Sequence, residues 1–336
     1  MCSARPARRA LGTGGQQLAT NMKAAVIYEY GSPEVFRIEE IDKPSINNDE
    51  ILIKVKAASV NPVDWKQRQG WHRFFLKAHF PVVLGYDVAG EIEECGLNVS
   101  TFKTGDHVYS RLIRRFGGAY AEYAAGSESI LAKKPESISW QEAAAVPLAG
   151  LTALQGLRDY CKIKRGEKVL VIGAAGGVGH FALQISKIMG GVTVAVCSSH
   201  HEKMMDDLRP DGFIDYTKTD YKTLNERYDI IFDAAGVESF LDCKHILNQG
   251  GRYLTTLPRP KLLIHKAIAI FTEGKKVKTF LMKSSGSDLE ILSDLIRKNE
   301  LKIYVDSVFT LEKIAEAHKR AEEYHTEGKI VVKISE

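Results

Sequence analysis

The stretch VLVIGAAGGVGHFALQISKIMG (169–190) constrains the fold of this chain more than any other. It starts with an apolar run typical of a buried strand, passes through a cluster of glycines, and ends with apolar residues at helical spacing. The glycines therefore lie where a strand turns into a helix, which we expect to begin near Gly177. At such a turn, exposed backbone N–H groups and the positive end of the helix favour an anion. The sequence thus predicts a cradle for the phosphates of a nucleotide; the alternative is a glycine turn that serves only close packing.

Individual residues of this turn have separate roles in that interpretation. Gly176 lets the backbone approach a pyrophosphate, and Gly179 lets the helix pack close to the strand. Ala174 stands where the strict dinucleotide fingerprint has its first glycine. The residues of the turn that we expect to bind the cofactor are Ala175, Gly176, Gly177, Val178 and Gly179.

The chain after Gly166 alternates between strand and helix patterns. The candidate strands are residues 169–172, 192–197, 213–215, 229–232 and 252–256. This rhythm predicts the α/β fold class with a doubly wound parallel sheet. Near the end, a helix is expected from Thr310 to Gly328, followed by a last strand in KIVVKI (329–334).

The chain before this region has a different pattern. From Met22 to about Lys134, period-two alternation and glycine turns predict a compact antiparallel β domain. In SWQE, Ser139 and Glu142 fit a capping box at the start of a helix. That helix is expected to break at Pro147, and a second helix should follow through GLTALQGLRDY.

Charge and cysteine content bound the class of protein. A net charge of +4 over 336 residues, with acidic and basic residues interleaved, is too weak to indicate a nucleic-acid partner. No apolar run reaches the ~18 residues of a membrane span. Five scattered cysteines fit free thiols in a reducing compartment, so we expect a cytoplasmic protein. Residues 1–21 hold three arginines and no acidic residue, and we interpret them as a leader, a cloning tag or a disordered segment, with a transit peptide as the alternative.

Six motifs in a fixed order resemble those of one known family. They are SVNPVDWK (59–66), VVLGYDVAGEIEECG (82–96), GDHVYS (105–110), GGAYAEY (117–123), PLAGLTALQGL (147–157) and GAAGGVG (173–179). Together they resemble the medium-chain dehydrogenase/reductases, and most closely the zinc-free quinone oxidoreductase branch with its reticulon-4-interacting-protein-like members. The resemblance implies a GroES-like β domain, formed by residues 22–146 and 288–336, around an inserted Rossmann domain at 147–287.

The resemblance also implies that no metal takes part. Zinc-dependent relatives carry Cys, His and Cys where this chain has Asn61, Tyr86, and Ala149 or Gly150. None of these is a good zinc ligand, because zinc binds thiolate, imidazole or carboxylate. Asp87 could bind a metal in principle, but a hydrogen-bonded turn residue is the interpretation that we favour.

Four candidate catalytic residues follow from the same resemblance. Asn61 and Asp64 match the family's loop beside the nicotinamide, where Asn61 would hydrogen-bond a substrate carbonyl or a water and Asp64 would orient its neighbours. The alternative is that both cap a tight loop. Some quinone reductases have a tyrosine where this chain has Lys66, which either donates a proton or is simply solvated. Tyr86 is a second candidate donor, or it fills the core.

Three further residues are expected beside the cofactor. Thr152 lies where relatives contact its phosphate or nicotinamide side. Gly236 follows a strand, at the carboxyl edge where ligands bind in such sheets. Leu257 begins LPRP, which is either a loop over the nicotinamide or a plain prolyl loop.

The second predicted strand of the parallel sheet ends without the acidic residue that NAD-binding domains place there. It ends instead in Ser198 and Ser199, whose hydroxyls leave room for a 2′-phosphate and can donate to it. Lys203, one helical turn on, either brings a positive charge to this phosphate or is a solvated helix lysine. Tyr216, after the third strand, is placed to reach the same phosphate or the adenine. We therefore predict NADPH as the cofactor.

Without a Lewis acid, the chemistry that remains is hydride donation from the cofactor to an electron-poor small molecule. Our first interpretation is an NADPH-dependent quinone oxidoreductase. The alternatives are an alkenal or enone reductase and a non-catalytic NADPH-binding protein with a regulatory or structural role. The strand-like run KKVKTFLMK (275–283) further predicts a homodimer that pairs edge to edge, as relatives often do.

Overall fold

The computed structural model describes residues 21–71, 73, 77–257, 272 and 274–335. Its strands are β1 (Asn21–Ile27), β2 (Arg37–Asp42), β3 (Glu50–Val60), β4 (Val82–Val83), β5 (Asp87–Cys95), β6 (His107–Arg111), β7 (Tyr123–Ser127), β8 (Leu131–Lys133), β9 (Lys168–Ile172), β10 (Val192–Cys197), β11 (Gly212–Asp215), β12 (Tyr228–Asp233), β13 (Leu247–Thr255), β14 (Lys276–Thr279), β15 (Val305–Thr310) and β16 (Lys329–Lys333). Its α-helices are α1 (Pro62–Arg68), α2 (Trp140–Ala145), α3 (Pro147–Gln155), α4 (Gly179–Ile188), α5 (Glu202–Leu208), α6 (Phe240–Cys243), α7 (Gly286–Arg297) and α8 (Ile314–Glu322). A π-helical segment (Gly156–Cys161) continues α3.

The first part of the chain forms two β-sheets, and the last two strands, β15 and β16, belong to one of them. One is three-stranded in the order β2-β1-β4, and the other runs β15-β16-β3-β5-β6-β8, with β7 also paired to β3. All of these pairs are antiparallel except β15 with β16, which are parallel. These two strands lie outside the region from Met22 to about Lys134, for which the sequence predicted an antiparallel domain. The last strand pairs with β3 in the register Ile330↔Val60 to Lys333↔Ala57. The expected KIVVKI strand is therefore present, and it joins the sheet of the N-terminal region.

The second sheet system is six-stranded and wholly parallel, in the order β11-β10-β9-β12-β13-β14. Numbered within the sheet, this is the 3-2-1-4-5-6 order of dinucleotide-binding folds. Both faces are covered, so β9 reads as a continuous apolar run, and Val169, Leu170 and Val171 are fully buried. The α/β fold class is confirmed. One strand begins earlier than predicted. The strand β13 starts at Leu247, five residues before position 252, where the sequence pattern placed its start.

The predicted capping box and the helix break at Pro147 are confirmed, but the C-terminal helix α8 begins at Ile314 and not at Thr310. Ser139 and Glu142 form the capping box of α2, with Ser139 N–H donating to Glu142 Oε2 over 2.8 Å, and α3 begins at Pro147. The C-terminal helix ends at Glu322 and not at Gly328. Tyr324 has a left-handed backbone with φ of 59°, which stops the helix, and the chain then turns back toward β16.

Within the described part of the chain, no helix is long and apolar enough to cross a membrane. Residues 1–20, most of the segment interpreted as a leader, lie outside the described residues, and Asn21 already belongs to β1. The two sheet systems meet where Gly176, in the glycine turn, bridges to Gly328, just before β16. This contact places the end of the chain at the predicted nucleotide site.

Candidate active site

The glycine turn connects β9 to α4, as the sequence predicts. Gly173 has φ of 75°, and its carbonyl accepts from Gly176 N–H over 3.1 Å, which closes the turn. A Cβ on Gly179 would lie 2.0 Å from the Gly173 carbonyl oxygen, so the close packing requires glycine. The helix begins at Gly179, two residues later than predicted, with Val178 as its N-cap. Because the first N–H groups of a helix have no partner inside it, this end of α4 can bind an anion.

A buried histidine, which the sequence analysis did not single out, supports the turn. His180 Nδ1 lies 3.0 Å from the carbonyl oxygen of Gly176. Burial lowers the pKa of His180 to about 4, so the ring is neutral near pH 7, and Nδ1 must carry the proton that it donates. His180 therefore holds Gly176 in place without adding charge to the site.

The predicted 2′-phosphate residues come together at the carboxyl ends of β10 and β11. Ser198 is buried and its hydroxyl accepts from His200 N–H, while Lys203 and Tyr216 are exposed. Tyr216 N–H donates to the Cys197 carbonyl over 3.3 Å, which fixes the backbone of the tyrosine beside this edge. Ser198 and the Tyr216 backbone therefore lie at the same edge of the sheet, and their role at a 2′-phosphate stays a prediction.

An acid that the sequence analysis missed also lies at this edge. Asp215 is the Cα partner of Cys197, the last residue of β10. The pKa of Asp215 is held well below its usual range, first by the Thr217 hydroxyl and also by Ser199 and Lys218. The carboxylate is therefore ionised. The second strand of the parallel sheet, β10, ends without an acidic residue, but the third strand, β11, places Asp215 at the same edge. The parallel pairing of these two strands shows this, and the sequence of β10 alone does not.

Gly236 and Leu257 are in contact at the carboxyl ends of β12 and β13. A Cβ on Gly236, whose φ is 67°, would lie 2.5 Å from Leu257 Cδ1. The turn is held by Asp233, whose carboxylate accepts from Gly236 N–H over 2.8 Å and from the Tyr253 hydroxyl over 2.9 Å. The rest of LPRP, residues 258–260, lies outside the described residues.

Asn61 and Asp64 lie at the N-terminus of α1. Asp64 Oδ2 accepts from the Asn61 backbone N–H over 2.7 Å, so the Asp64 carboxylate caps the start of α1. The alternative that both residues act as caps is therefore met by the side chain of Asp64 and not by that of Asn61. The Asn61 side chain points elsewhere, because its Nδ2 donates to Asp87 Oδ2 over 2.9 Å and its Oδ1 accepts from the Lys329 ammonium.

Asp87 is the centre of this buried cluster. Its Oδ1 accepts from Leu148 N–H over 2.9 Å, at the start of α3. Its Oδ2 accepts from the Ser59 hydroxyl over 2.8 Å and lies 3.5 Å from Lys329 Nζ. Asp87 thus holds the end of β3, the start of α3 and the start of β16 together. The sequence analysis was right that Asp87 is hydrogen-bonded, but wrong that it is a turn residue, because it begins strand β5.

Two carboxyl groups lie in this buried region, and one titrates near neutral pH. Asp64 is fully buried, and burial together with the negative charge of Asp87 raises the pKa of Asp64 to about 7. Its Oδ1 has no hydrogen-bond partner among the described residues. Asp64 is therefore partly protonated near pH 7, which the sequence alone could not show.

The two candidate proton donors are both buried. Lys66 is 7% exposed, with Nζ 5.2 Å from the Trp65 ring and 5.5 Å from the Trp71 ring, so the solvated alternative is wrong. The Tyr86 hydroxyl accepts from Gln67 Nε2 over 2.8 Å, and burial raises the pKa of Tyr86. Tyr86 therefore keeps its proton at neutral pH.

Thr152 lies on α3, one turn after Leu148. Its hydroxyl donates to the Leu148 carbonyl over 2.6 Å, and the residue is 7% exposed. Thr152 thus lies within one turn of the helix end that Asp87 holds, and its hydroxyl proton is engaged inside its own helix.

The residues at the zinc-ligand positions do not fit a metal. Asn61 directs its carboxamide oxygen at the Lys329 ammonium, and the Tyr86 hydroxyl keeps its proton. A buried ammonium 3.5 Å from Asp87 repels a second cation. In the part of the chain that the structure describes, no group of three or more His, Cys, Asp or Glu could hold a metal ion.

Sequence and structure comparisons agree with this architecture. Residues 47–136 match the alcohol dehydrogenase GroES-like domain, and residues 209–332 match the zinc-binding dehydrogenase family. The chain is 33% identical to the chloroplast envelope quinone oxidoreductase homolog of Arabidopsis thaliana, over 87% of this chain and 92% of that one. It is 34% identical to the chloroplastic NADPH-dependent alkenal/one oxidoreductase of the same plant, over 95% of this chain and 81% of that one.

A further relative and one solved structure are also similar to this chain. The human mitochondrial NAD(P)H oxidoreductase RTN4IP1 is 31% identical, over 94% of this chain and 90% of that one. The quinone oxidoreductase from Coxiella burnetii has a TM-score of 0.87 and 30% identity, with 94% of this chain and 100% of that one covered.

Fold and site together define an oxidoreductase with a nucleotide-binding domain. The chain belongs to the medium-chain dehydrogenase/reductase superfamily, with quinone oxidoreductases and RTN4IP1 among its relatives. The resemblance seen in the sequence motifs is thereby confirmed.

Proposed function

We propose that this protein is an NADPH-dependent reductase that transfers a hydride to a quinone without a metal. The observation that carries the proposal is the contact between the glycine turn and the buried Asn61–Asp87–Lys329 cluster. When bound, NADPH supplies the hydride. The glycine turn would hold its pyrophosphate, and the cluster would form the wall beside its nicotinamide.

The residue types at this wall support an electron-poor acceptor. Asn61, Lys329 and Asp87 bind one another, so this wall does not fit the metal ion that acts as the Lewis acid in alcohol oxidation. A quinone is already electron-poor and needs only a hydride and a proton. Lys66 and Tyr86 are the proposed sources of that proton, and the raised pKa of Tyr86 keeps its hydroxyl protonated at neutral pH.

Reduction of an alkenal or enone is the second candidate. It is supported by the 34% identity, over 95% of this chain, with a relative named for alkenal/one reduction. In such an acceptor the hydride goes to a carbon of the double bond, and the proton goes to the neighbouring carbon or oxygen. The same residues would serve, because the difference lies in the shape of the pocket and not in the source of the hydride.

Steady-state NADPH oxidation tests these functions. The acceptors are 9,10-phenanthrenequinone, 1,4-benzoquinone and a series of 2-alkenals, each at saturating NADPH. Preferred turnover of the quinones supports the first candidate, and preferred turnover of the alkenals supports the second. Tight NADPH binding without turnover of any acceptor would overturn both and favour a non-catalytic NADPH-binding protein.

A further inference from the structure

One lysine side chain reaches from the glycine turn to Asn61, at the start of α1. Lys329 is the first residue of β16 and is only 4% exposed. Its ammonium donates to Asn61 Oδ1 and to the Val60 carbonyl, the latter over 3.4 Å, and lies 3.5 Å from Asp87 Oδ2. Among the described residues, these acceptors lie at the end of β3, at the residue that follows it and at the start of β5.

The rest of the same residue contacts the nucleotide turn. A Cβ on Gly177 would lie 2.9 Å from Lys329 Cδ, so the lysine stem packs directly against the backbone of Gly177. The neighbouring Gly328 N–H donates to the Ala175 carbonyl over 2.8 Å. A shift of Lys329 would therefore move the glycine turn relative to Asn61.

We propose that Lys329 is a positioning residue, which sets the distance and orientation between the pyrophosphate-binding turn and the Asn61 carboxamide. The proposal rests on the proposed function only in naming the pyrophosphate of NADPH as the ligand of the turn. Lys329 touches neither the hydride nor the acceptor. It acts because a buried ammonium keeps its position only while its acceptors hold it, and these acceptors are the Val60 carbonyl, the Asn61 carboxamide and the Asp87 carboxylate.

The chemistry of the cluster supplies a variant that can keep the fold. Lys329→Met preserves the length of the stem but leaves the Asp87 carboxylate buried without its cation, which destabilises a protein strongly. In the double variant Lys329→Met/Asp87→Asn both charges are gone. The Asn61 carboxamide can then rotate so that its oxygen accepts from the new amide of residue 87, and the Ser59 hydroxyl oxygen can accept from the same amide.

The test compares two ligands in binding titrations of the wild type, both variants and Lys333→Met. NADPH spans the pyrophosphate site, whereas adenosine 2′-monophosphate reaches only the adenosine edge near Ser198. We expect Lys329→Met/Asp87→Asn to bind NADPH about tenfold more weakly and adenosine 2′-monophosphate as the wild type does. Lys333→Met, the same change on the same strand, should bind both ligands as the wild type does.

Two results would overturn the positioning role. One is wild-type affinity for NADPH in the double variant. The other is an equal loss for both ligands, which indicates general loosening of the fold. If Lys329→Met does not fold, the double variant still gives the answer. Failure of the proposed function looks different, because the wild type would then bind NADPH but reduce no acceptor, while the two affinities still report on Lys329.

Discussion

The backbone N–H of Gly328 donates to the carbonyl of Ala175 over 2.8 Å, so the last strand of the chain is bonded directly to the glycine turn. The two residues are 153 positions apart in sequence. Gly328 can make this bond because its φ is 85°, a conformation that favours glycine. The nucleotide site is therefore completed by the C-terminal segment and not by the parallel sheet alone.

Gly328→Ala should weaken both the fold and NADPH binding. A Cβ at this position would lie 2.1 Å from the Tyr304 carbonyl oxygen, in addition to the cost of a left-handed backbone. We expect a loss of about 2 kcal/mol or more in the free energy of unfolding. Gly105→Ala is the matched control, since Gly105 has φ of 86° and open space around the missing Cβ. Chemical denaturation of both variants checks this, and equal losses would contradict the role given to the Tyr304 contact.

Asp64 should make the protein less stable as the pH rises. Its pKa is raised to about 7 in the folded protein by burial and by Asp87, above the value of 3.8 in a solvated chain. The folded state therefore binds more protons between these two values, and stability falls as the pH rises from about 4 to about 7. Asp64→Asn removes this loss and can still accept from Asn61 N–H.

The measurement is chemical denaturation at about pH 5 and about pH 8. On going from the lower to the higher pH, the wild type should lose ~2–4 kcal/mol more of its free energy of unfolding than Asp64→Asn does. Asp42→Asn, at an exposed residue of β2, is the control and should follow the wild type. An unchanged pH dependence in Asp64→Asn would show that this carboxyl group does not titrate near neutrality.

NADPH should be preferred to NADH by about tenfold or more in kcat/KM, which corresponds to ~1.4 kcal/mol. Ser198 at the end of β10 leaves room for the 2′-phosphate, and Lys203 and Lys218 add positive charge near that edge. Ser198→Asp should erode or reverse the preference by adding a second carboxylate beside Asp215, whereas the neutral Ser198→Asn should affect it much less. Steady-state kinetics with both cofactors checks this, and equal use of the two by the wild type would contradict the assignment.

The protein should be a homodimer that pairs through β14. Within the described residues β14 is the edge strand of the six-stranded sheet, as the sequence analysis required. Val277 and Phe280 are buried inside the subunit, so their side chains are not available to a partner, and pairing would use the free backbone edge. Light scattering at micromolar concentration should give twice the 37.3 kDa of the chain. A monomeric mass would rule this interface out.

Local patterns predicted the elements of this fold, and long-range contacts determined the parts that the patterns missed. The 169–190 stretch, the capping box at Ser139 and the alternation of strands and helices each depend on residues close in sequence, and each is confirmed. Lys329 and Lys333 look alike in KIVVKI, yet only Lys329 is buried to 4%. Which of the two is buried depends on the pairing of β16 with β3, on opposite ends of the chain.

The candidate site shows the same division. The sequence predicted that Asn61 and Asp64 lie together in one short loop, and the structure places them at the start of α1. It could not show that Asp87 accepts from Leu148, or that Asp215 lies beside the end of β10, since both depend on how distant segments pack. The surroundings of Asp87 and Asp215 depend on residues that pack against them from distant parts of the sequence.

Hydride transfer from NADPH in the presence of a chelator tests the central claim most directly. The measurement is single-turnover oxidation of NADPH by 9,10-phenanthrenequinone in EDTA, using NADPH that carries deuterium on one or the other face of the nicotinamide C4. We predict rapid oxidation that EDTA does not change and that deuterium slows on only one of the two faces. If bound NADPH stays reduced with every quinone and alkenal, or if EDTA abolishes the reaction and zinc restores it, the account is contradicted.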